Sequence, residues 1–554
     1  MARRSVEISI IIISAMILVS CMIKRDYKII HNGCIYTLDD DNPAATAVVF
    51  DGDRIIYVGD DEGAEPYKAK NAEVIDLKGA VALPGLIDAH AHIMSLGKFL
   101  DELNLKGVDS PWKVKRMVQE KAVVTPEGEW IIGRGWDQNL WESKEFPTYE
   151  ELGGIEANPV CLSRVDGHAV WVNKTALDLC GINRETIDPD GGRIIRFVNG
   201  EPAGILIDNA IDLVKDIIPK ESGEIKKRRL LRAIRECTKC GLTGVGDAWV
   251  TKETLELYRE IIAEGSMTMR VYCMLSDEVE LLDEFYKSGP VTEYGGGLLT
   301  MRTVKLFADG ALGSRGALLF EPYSDDNSTC GIMVTGEDEI YRRALDALKA
   351  GLQVSAHAIG DRANHITLNA YQRALKEIPG EDRRLRIEHD QVLTAEDIKR
   401  YRELGVIASM QPTHATSDMP WAEDRLGSQR IKGAYAWRSL LDAGARLAFG
   451  SDFPVEQVNP FLGIYAAVAR QDLKGSPEGG WYPEQKLTVE EAVRGFTVWA
   501  AYAQFQEDKI GMIKPGMCAD FTIIDRDIYQ ISPREIADAE VLMTIVGGEI
   551  VYRR

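Results

Sequence analysis

Six side chains in this 554-residue sequence are of types that bind metals or move protons, and each stands in or at the end of an apolar run. The stretch LPGLIDAHAHI (83–93) climbs through apolar residues and ends in His90 and His92. Two positions apart on a strand, they share one face. Lys305 lies inside TVKLFADG, His357 ends VSAHAIGD, His389 ends RIEHDQ and Asp452 ends AFGSDFP. Imidazole and carboxylate together suit a divalent transition metal such as zinc. Taken singly, each residue has a plainer reading. A strand-end histidine can be a hydrogen-bonded polar residue, Lys305 can snorkel to a rim, and Asp452 can serve a turn. Their shared placement favours one metal centre. Lys305 as an ammonium would be repelled by a dication. As a neutral amine that has reacted with CO₂ it is a carbamate, whose two oxygens can bridge two metals, and burial lowers a lysine pKa enough to allow this. Two metals about 3.5–4 Å apart can share a hydroxide that is nucleophilic at neutral pH.

The elements that must position these groups read as eight strands: LPGLIDAHAH, GLTGVGDAWV, RVYCML, RTVKLFADG, LQVSAHAIG, RLRIEHDQ, VIASMQP and RLAFGSDFP. Helical patterns such as TLELYREIIAEG and TAEDIKRYRELG separate most of them and end near glycine, as a C-cap does. The pattern predicts an α/β fold, a (β/α)₈ TIM-type barrel over 83–504 with its polar groups at the strands' C-terminal ends. The first connection is far longer than the rest, so an inserted subdomain is expected at about 95–240, over the barrel mouth. Residues 22–82 alternate β-branched runs with Asn-Gly, Asp-Gly and Gly-Asp turns, and 505–554 resembles them, with strand-like ADFTIIDRDIY and VLMTIVGGEIVYRR after the turn-rich IKPGMCAD. They are expected to pair into one composite β-sandwich domain.

The net charge of −21 argues against nucleic acid as a partner. Nine cysteines without a disulfide-like spacing read as free thiols, Cys237 and Cys240 of RECTKCG included. Residues 1–21 have a basic start and an apolar run ending in Leu18-Val19-Ser20-Cys21, like a lipoprotein signal. The run is short for a stable membrane span, and Met22 also reads as a start. A cytoplasmic enzyme is the expectation, with a lipoprotein anchored through Cys21 as the alternative.

The sequence resembles the amidohydrolase superfamily, in its amidohydrolase-3 branch related to N-substituted formamide deformylase. Besides LPGLIDAHAH, the resemblance rests on GRGWDQNLW (133–141), SRVDGHAVWVNKTAL (163–177), TVKLFADGALGSRGA (303–317), SAHAIGDRAN (355–364), QPTHATSD (411–418), GSDFPVEQVNP (450–460) and the closing IGMIKPGMCADFTIID. It covers nearly all of 26–554. It implies a metal-dependent hydrolase acting on a C–N bond of a small molecule, amide or N-acyl or N-formyl, through a metal-bound hydroxide. It implies His90, His92 and Asp452 on one metal, His357 and His389 on a second, and a carbamylated Lys305 between them. A one-metal site would leave Lys305 as a cationic substrate contact. Asp452 is the implied general base and then acid. His168 is the implied catalytic or oxyanion contact in the insertion, and His414 a substrate contact. Asp309, Arg315 and Trp136 belong to motifs expected to line the pocket, and a homodimer is a family-level expectation. Two other readings stay open: a one-metal deaminase of a ring amidine, and a non-catalytic metal-binding relative.

Overall fold

The computed structural model describes residues 27–68, 72–165, 167–219, 221–380 and 382–554. The lipobox at Cys21 and the alternative start at Met22 lie outside the described residues. The described residues form two compact units, one joining those up to His92 with those of Ile234–Arg554, the other those of Ile93–Ala233. Among the described residues, no helix is long and apolar enough to cross a membrane. The eight described cysteines are all free.

Eight parallel strands form the body of the first unit: β1 (Leu86–Ala91), β2 (Leu242–Val250), β3 (Arg270–Leu275), β4 (Leu299–Phe307), β5 (Gln353–Ala358), β6 (Arg386–His389), β7 (Ile407–Met410) and β8 (Arg446–Phe449). They pair in sequential order from β1 to β8. Every residue of β1, β3, β6 and β7 is buried, as expected of parallel strands covered on both faces. Helices return the chain between strands, for example Glu337–Lys349 before β5 and Asp361–Glu377 after it. Helix Ala395–Leu404 starts on the Thr394 side chain and stops at Gly405, whose φ of 65° a side chain would disfavour.

The barrel is nearly closed. Its seam is stitched beyond the end of β8, where the Asp452 N–H donates to the His90 carbonyl at 2.8 Å and the His92 N–H to the Phe453 carbonyl at 2.9 Å. The buried Asp88 carboxylate accepts from the Ser451 N–H at 3.1 Å and the Ser451 hydroxyl at 2.6 Å. Gly450 permits this approach, since a Cβ there would stand 2.6 Å from Asp88 Oδ1 and from the His90 nitrogen.

Both chain ends build the β-domain. Phe521–Ile524 pairs antiparallel with Val81–Pro84, in a six-stranded sheet that also holds Cys34–Tyr36 and Val541–Val546. A four-stranded sheet carries Tyr27–His31, Ala47–Asp51, Arg54–Gly59 and Glu73–Asp76. Ile30, Val48 and Phe50 share a core with Ala82, Phe521 and Ile545. Arg270, at the start of β3, ties the barrel to this domain through two bonds to Asp520, at 2.7 and 3.0 Å.

The second unit has its own sheet, which runs from Gly192–Arg196 through Pro202–Asp208, Ala169–Val172, Val160–Arg164 and Ile131–Trp136 to Leu103–Asn104. Its core is rich in tryptophan: Trp136, Trp141 and Trp171 pack with Val114, Val118 and Leu162.

Candidate metal centre and active site

The C-terminal ends of β1, β4, β5, β6 and β8 bring His90, His92, Lys305, His357, His389 and Asp452 to one cavity of about 420 Å³. Alternation alone would not do this on β6, because Glu388 and His389 are neighbours and would point to opposite faces. His389 and Asp390 take φ of 82° and 49°, which turns the backbone there. Asp452 is held at φ 58° in the same way. Non-glycine residues in this region are strained, and such strain concentrates at functional sites.

Each of three histidines has its Nδ1 already engaged. His90 Nδ1 lies 2.5 Å from Glu388 Oε2, His92 Nδ1 2.9 Å from the Ala248 carbonyl, and His389 Nδ1 2.8 Å from Gln411 Oε1. A histidine that donates from Nδ1 presents the Nε2 lone pair, the arrangement found in metal sites. His90 Nε2 and His92 Nε2 face Asp452 Oδ1 at 3.5 and 3.1 Å. With the proton on Nδ1, these are lone pairs facing a carboxylate oxygen. A cation between them removes the conflict.

Further atoms bear on the fit. Lys305 Nζ, His357 Nε2 and Asp452 Oδ1 are buried without a hydrogen-bond partner, although buried polar atoms are ordinarily satisfied. Two overlapping triads have ligand atoms within 4.8 Å of one another: His90, His92 and Asp452, and His389, His414 and Asp452. The donor set of imidazole and carboxylate suits zinc. These residues fit a divalent metal.

The surroundings shift the protonation equilibria. Burial lowers Lys305 to about 8, which brings a neutral amine within reach of neutral pH. Burial and the nearby Lys305 charge lower His90 to about 4 and His357 to about 3, which keeps both imidazoles neutral as ligands must be. Behind His90, the fully buried Glu388 accepts from Arg386 Nε at 2.8 Å, Arg386 Nη2 at 3.1 Å and the Ser355 hydroxyl at 2.6 Å.

His414 sits on the short helix Pro412–Asp418 directly after β7. Its Nε2 is 3.4 Å from Asp452 Oδ2, its Nδ1 is 3.3 Å from Glu456 Oε1, and its ring stacks on His389 at 6.0 Å. It therefore stands within ligand range, not only at substrate distance. His357 lies beside the same group, its ring centroid 4.5 Å from that of His389.

Asp309 and Arg315, expected in the pocket, are not among the residues that line the cavity. Asp309 is buried beside His357, its Oδ1 3.5 Å from His357 Nε2, and its carboxylate accepts the N–H groups of Leu318, Ile359 and Gly360 at 2.8–2.9 Å. Its bond to the Ile359 N–H anchors a residue that does line the cavity. Arg315 forms a forked pair with Asp325, at 3.2 and 2.9 Å, and is not in the lining. Trp136 is fully buried in the second unit, its indole N–H bonded to the Leu162 carbonyl at 2.7 Å and its ring stacked on Trp141. Its bulk fills the core of that unit. His168, also in that unit, is exposed and lies 2.8 Å from the Asp208 carboxylate.

Sequence reasoning passed over Glu388, Arg386, Gln411 and Glu456. A signal existed for two of them. Arg386 and Glu388 are two apart inside an apolar strand, so both must face the same buried side. A buried charge of each sign at that spacing marks a mutually neutralising pair, since buried charges are paired.

The amidohydrolase family profile matches residues 73–552. The chain is 36% identical over 536 residues to YtcJ of Bacillus subtilis, covering 95% of this chain and 99% of that protein. It is 30% identical over 548 residues to an N-substituted formamide deformylase of Arthrobacter pascens, covering 96% and 99%. The crystal structure of an uncharacterized metal-dependent hydrolase from Pyrococcus horikoshii superposes with a TM-score of 0.74 at 30% identity, over 92% of this chain and 99% of that one. With the histidines, Asp452 and their buried supports set at the ends of a nearly closed eight-stranded barrel, the chain belongs to the amidohydrolase family and is a metal-dependent hydrolase.

Proposed function

We propose that the protein hydrolyses the C–N bond of an amide or N-acyl compound, N-formyl amines among them. The observation that carries the reading is the gathering of imidazole nitrogens from His90, His92, His389 and His414 on the Asp452 carboxylate within one cavity. His90, His92 and Asp452 would hold one divalent metal, zinc by donor chemistry. His389 with His357 or His414, and a carbamylated Lys305, would hold a second. Bound there, the metal supplies Lewis acidity toward a carbonyl oxygen and lowers the pKa of water.

The chain's own residues do the rest. Asp452 takes a proton from the attacking water and returns it to the departing nitrogen, as base and then acid. Its backbone, pinned to the His90 carbonyl at 2.8 Å, keeps that carboxylate in place. Phe307, Leu312, Ile359, Trp421 and Val455 give the cavity an apolar wall. Such a wall excludes water and accepts an apolar substituent on nitrogen. The name of the Arthrobacter pascens relative, a deformylase of N-substituted formamides, supports this substrate class.

The test is a panel of N-formyl and N-acyl amines incubated with zinc-loaded protein, with released acid and amine quantified together. Stoichiometric release of both is expected. Release of ammonia from purines or pyrimidines, with every amide left intact, would replace the reading with a deaminase.

A further inference from the structure

A second cavity of about 420 Å³ opens at the opposite end of the barrel, where β6, β7 and β8 begin. Arg383, Arg384, Arg402 and Arg446 line it, and among its described lining residues Asp382 is the sole carboxylate. This is unusual in a chain of net charge −21. Arg384 is neutralised in place: it donates to Asp382 at 2.6 and 2.7 Å and to Glu507 at 2.8 and 2.6 Å. Its guanidinium lies on the Tyr502 ring at 3.8 Å, and that of Arg446 lies on the same ring at 3.9 Å. Arg383, Arg402 and Arg446 pair with no carboxylate among the described residues. Arg383 Nε is buried and has no hydrogen-bond acceptor.

Three unpaired guanidinium groups around one concavity repel each other, and the low-dielectric walls focus their field outward onto a counter-ion. The backbone that presents Arg383 is strained, with Asp382 and Arg384 at φ 62° and 47°. The anchored Arg384 holds it there. Guanidinium forks match phosphate and carboxylate oxygens two at a time. The cavity is of small-molecule size.

We propose that this cavity is a binding site for a small polyanion carrying two or more phosphate or carboxylate groups, gripped by Arg383, Arg402 and Arg446. It lies at the far end of the strands from the metal-ligand cluster, so it is a site separate from the hydrolytic one.

The test is isothermal titration of metal-loaded full-length protein at low ionic strength, with fructose 1,6-bisphosphate in one arm and tricarballylate in the other. Saturable binding that weakens with added salt is expected in at least one arm, and the tighter arm identifies phosphate or carboxylate as the natural group. Arg383→Gln should weaken binding about tenfold, and the Arg402→Gln/Arg446→Gln double variant about a hundredfold. Arg402 and Arg446 are exposed, so these changes leave the fold intact, as unchanged thermal unfolding without ligand will show. Arg116→Gln, an exposed arginine of the second unit, should change nothing. Absence of binding in both arms overturns the proposal. So does binding of equal strength in the arginine variants, which is what capture of the bound metal by the probes would produce.

Discussion

Replacing Glu388 with glutamine should loosen the metal without touching any ligand. Glu388 makes four hydrogen bonds in a fully buried position: to His90 at 2.5 Å, to Ser355 at 2.6 Å and to Arg386 at 2.8 and 3.1 Å. Glutamine keeps the volume but swaps one acceptor for a donor. If its oxygen faces His90, its NH₂ faces Arg386 Nε, and donor meets donor. The carboxylate that makes His90 a stronger ligand is lost, and loss of such a partner costs about 10–100-fold in metal affinity, roughly 1.4–2.8 kcal/mol. Leaving Arg386 buried beside a neutral group adds a folding cost of about 3–5 kcal/mol. The two effects separate in a second variant, Arg386→Met/Glu388→Met. Removal of both charges should restore most of the stability but not the zinc affinity. The assay is competition of a chromophoric chelator for zinc, with thermal unfolding measured alongside. A folded Glu388→Gln protein with wild-type zinc affinity would refute the assignment of His90 as a metal ligand oriented by Glu388.

Other outcomes follow from the same geometry. Asp452→Asn should reduce kcat on any C–N substrate by about 10²–10⁴-fold, measured at saturating zinc so that weakened metal binding is not mistaken for lost proton transfer. Chelator treatment should abolish hydrolysis and zinc should restore it; activity that survives complete metal removal would exclude a metal-dependent reaction. In metal-free protein, Lys305 falls to about 8 from an ordinary 10.5 because it is buried. The unfolded chain then holds more protons between those values, so stability should rise with pH from about 8 to about 10.5, by on the order of 3 kcal/mol. Urea unfolding across that range should show the slope, and Lys305→Met should flatten it. Asp309→Asn should cost about 1–3 kcal/mol, because an amide NH₂ would face a backbone N–H it cannot accept from; denaturant midpoints would show it.

How much of this was legible in the chain differs by level. The eight barrel strands could be read because parallel strands covered on both faces are continuous apolar runs, and polar residues at their ends stand out against them. His90, His92, Lys305, His357, His389 and Asp452 were all visible that way. Asp309 and Arg315 were not separable from residues that line the cavity, since a motif shows that residues matter together, not which way each side chain points. Asp309 turned toward three backbone N–H groups, Arg315 toward Asp325, and Trp136 into a core of other tryptophans.

Sequence by itself determined the fold class and the chemical inventory, because hydrophobic periodicity and residue type are local properties. Only the tertiary structure decided the grouping. His414 stands with His389 and Asp452, and Glu388 lies behind His90 across 298 positions of sequence. His389 and Glu388 face inward together because φ at His389 is 82°. Those choices depend on barrel closure, backbone strain and the burial of charge, which arise only when distant segments are packed against one another.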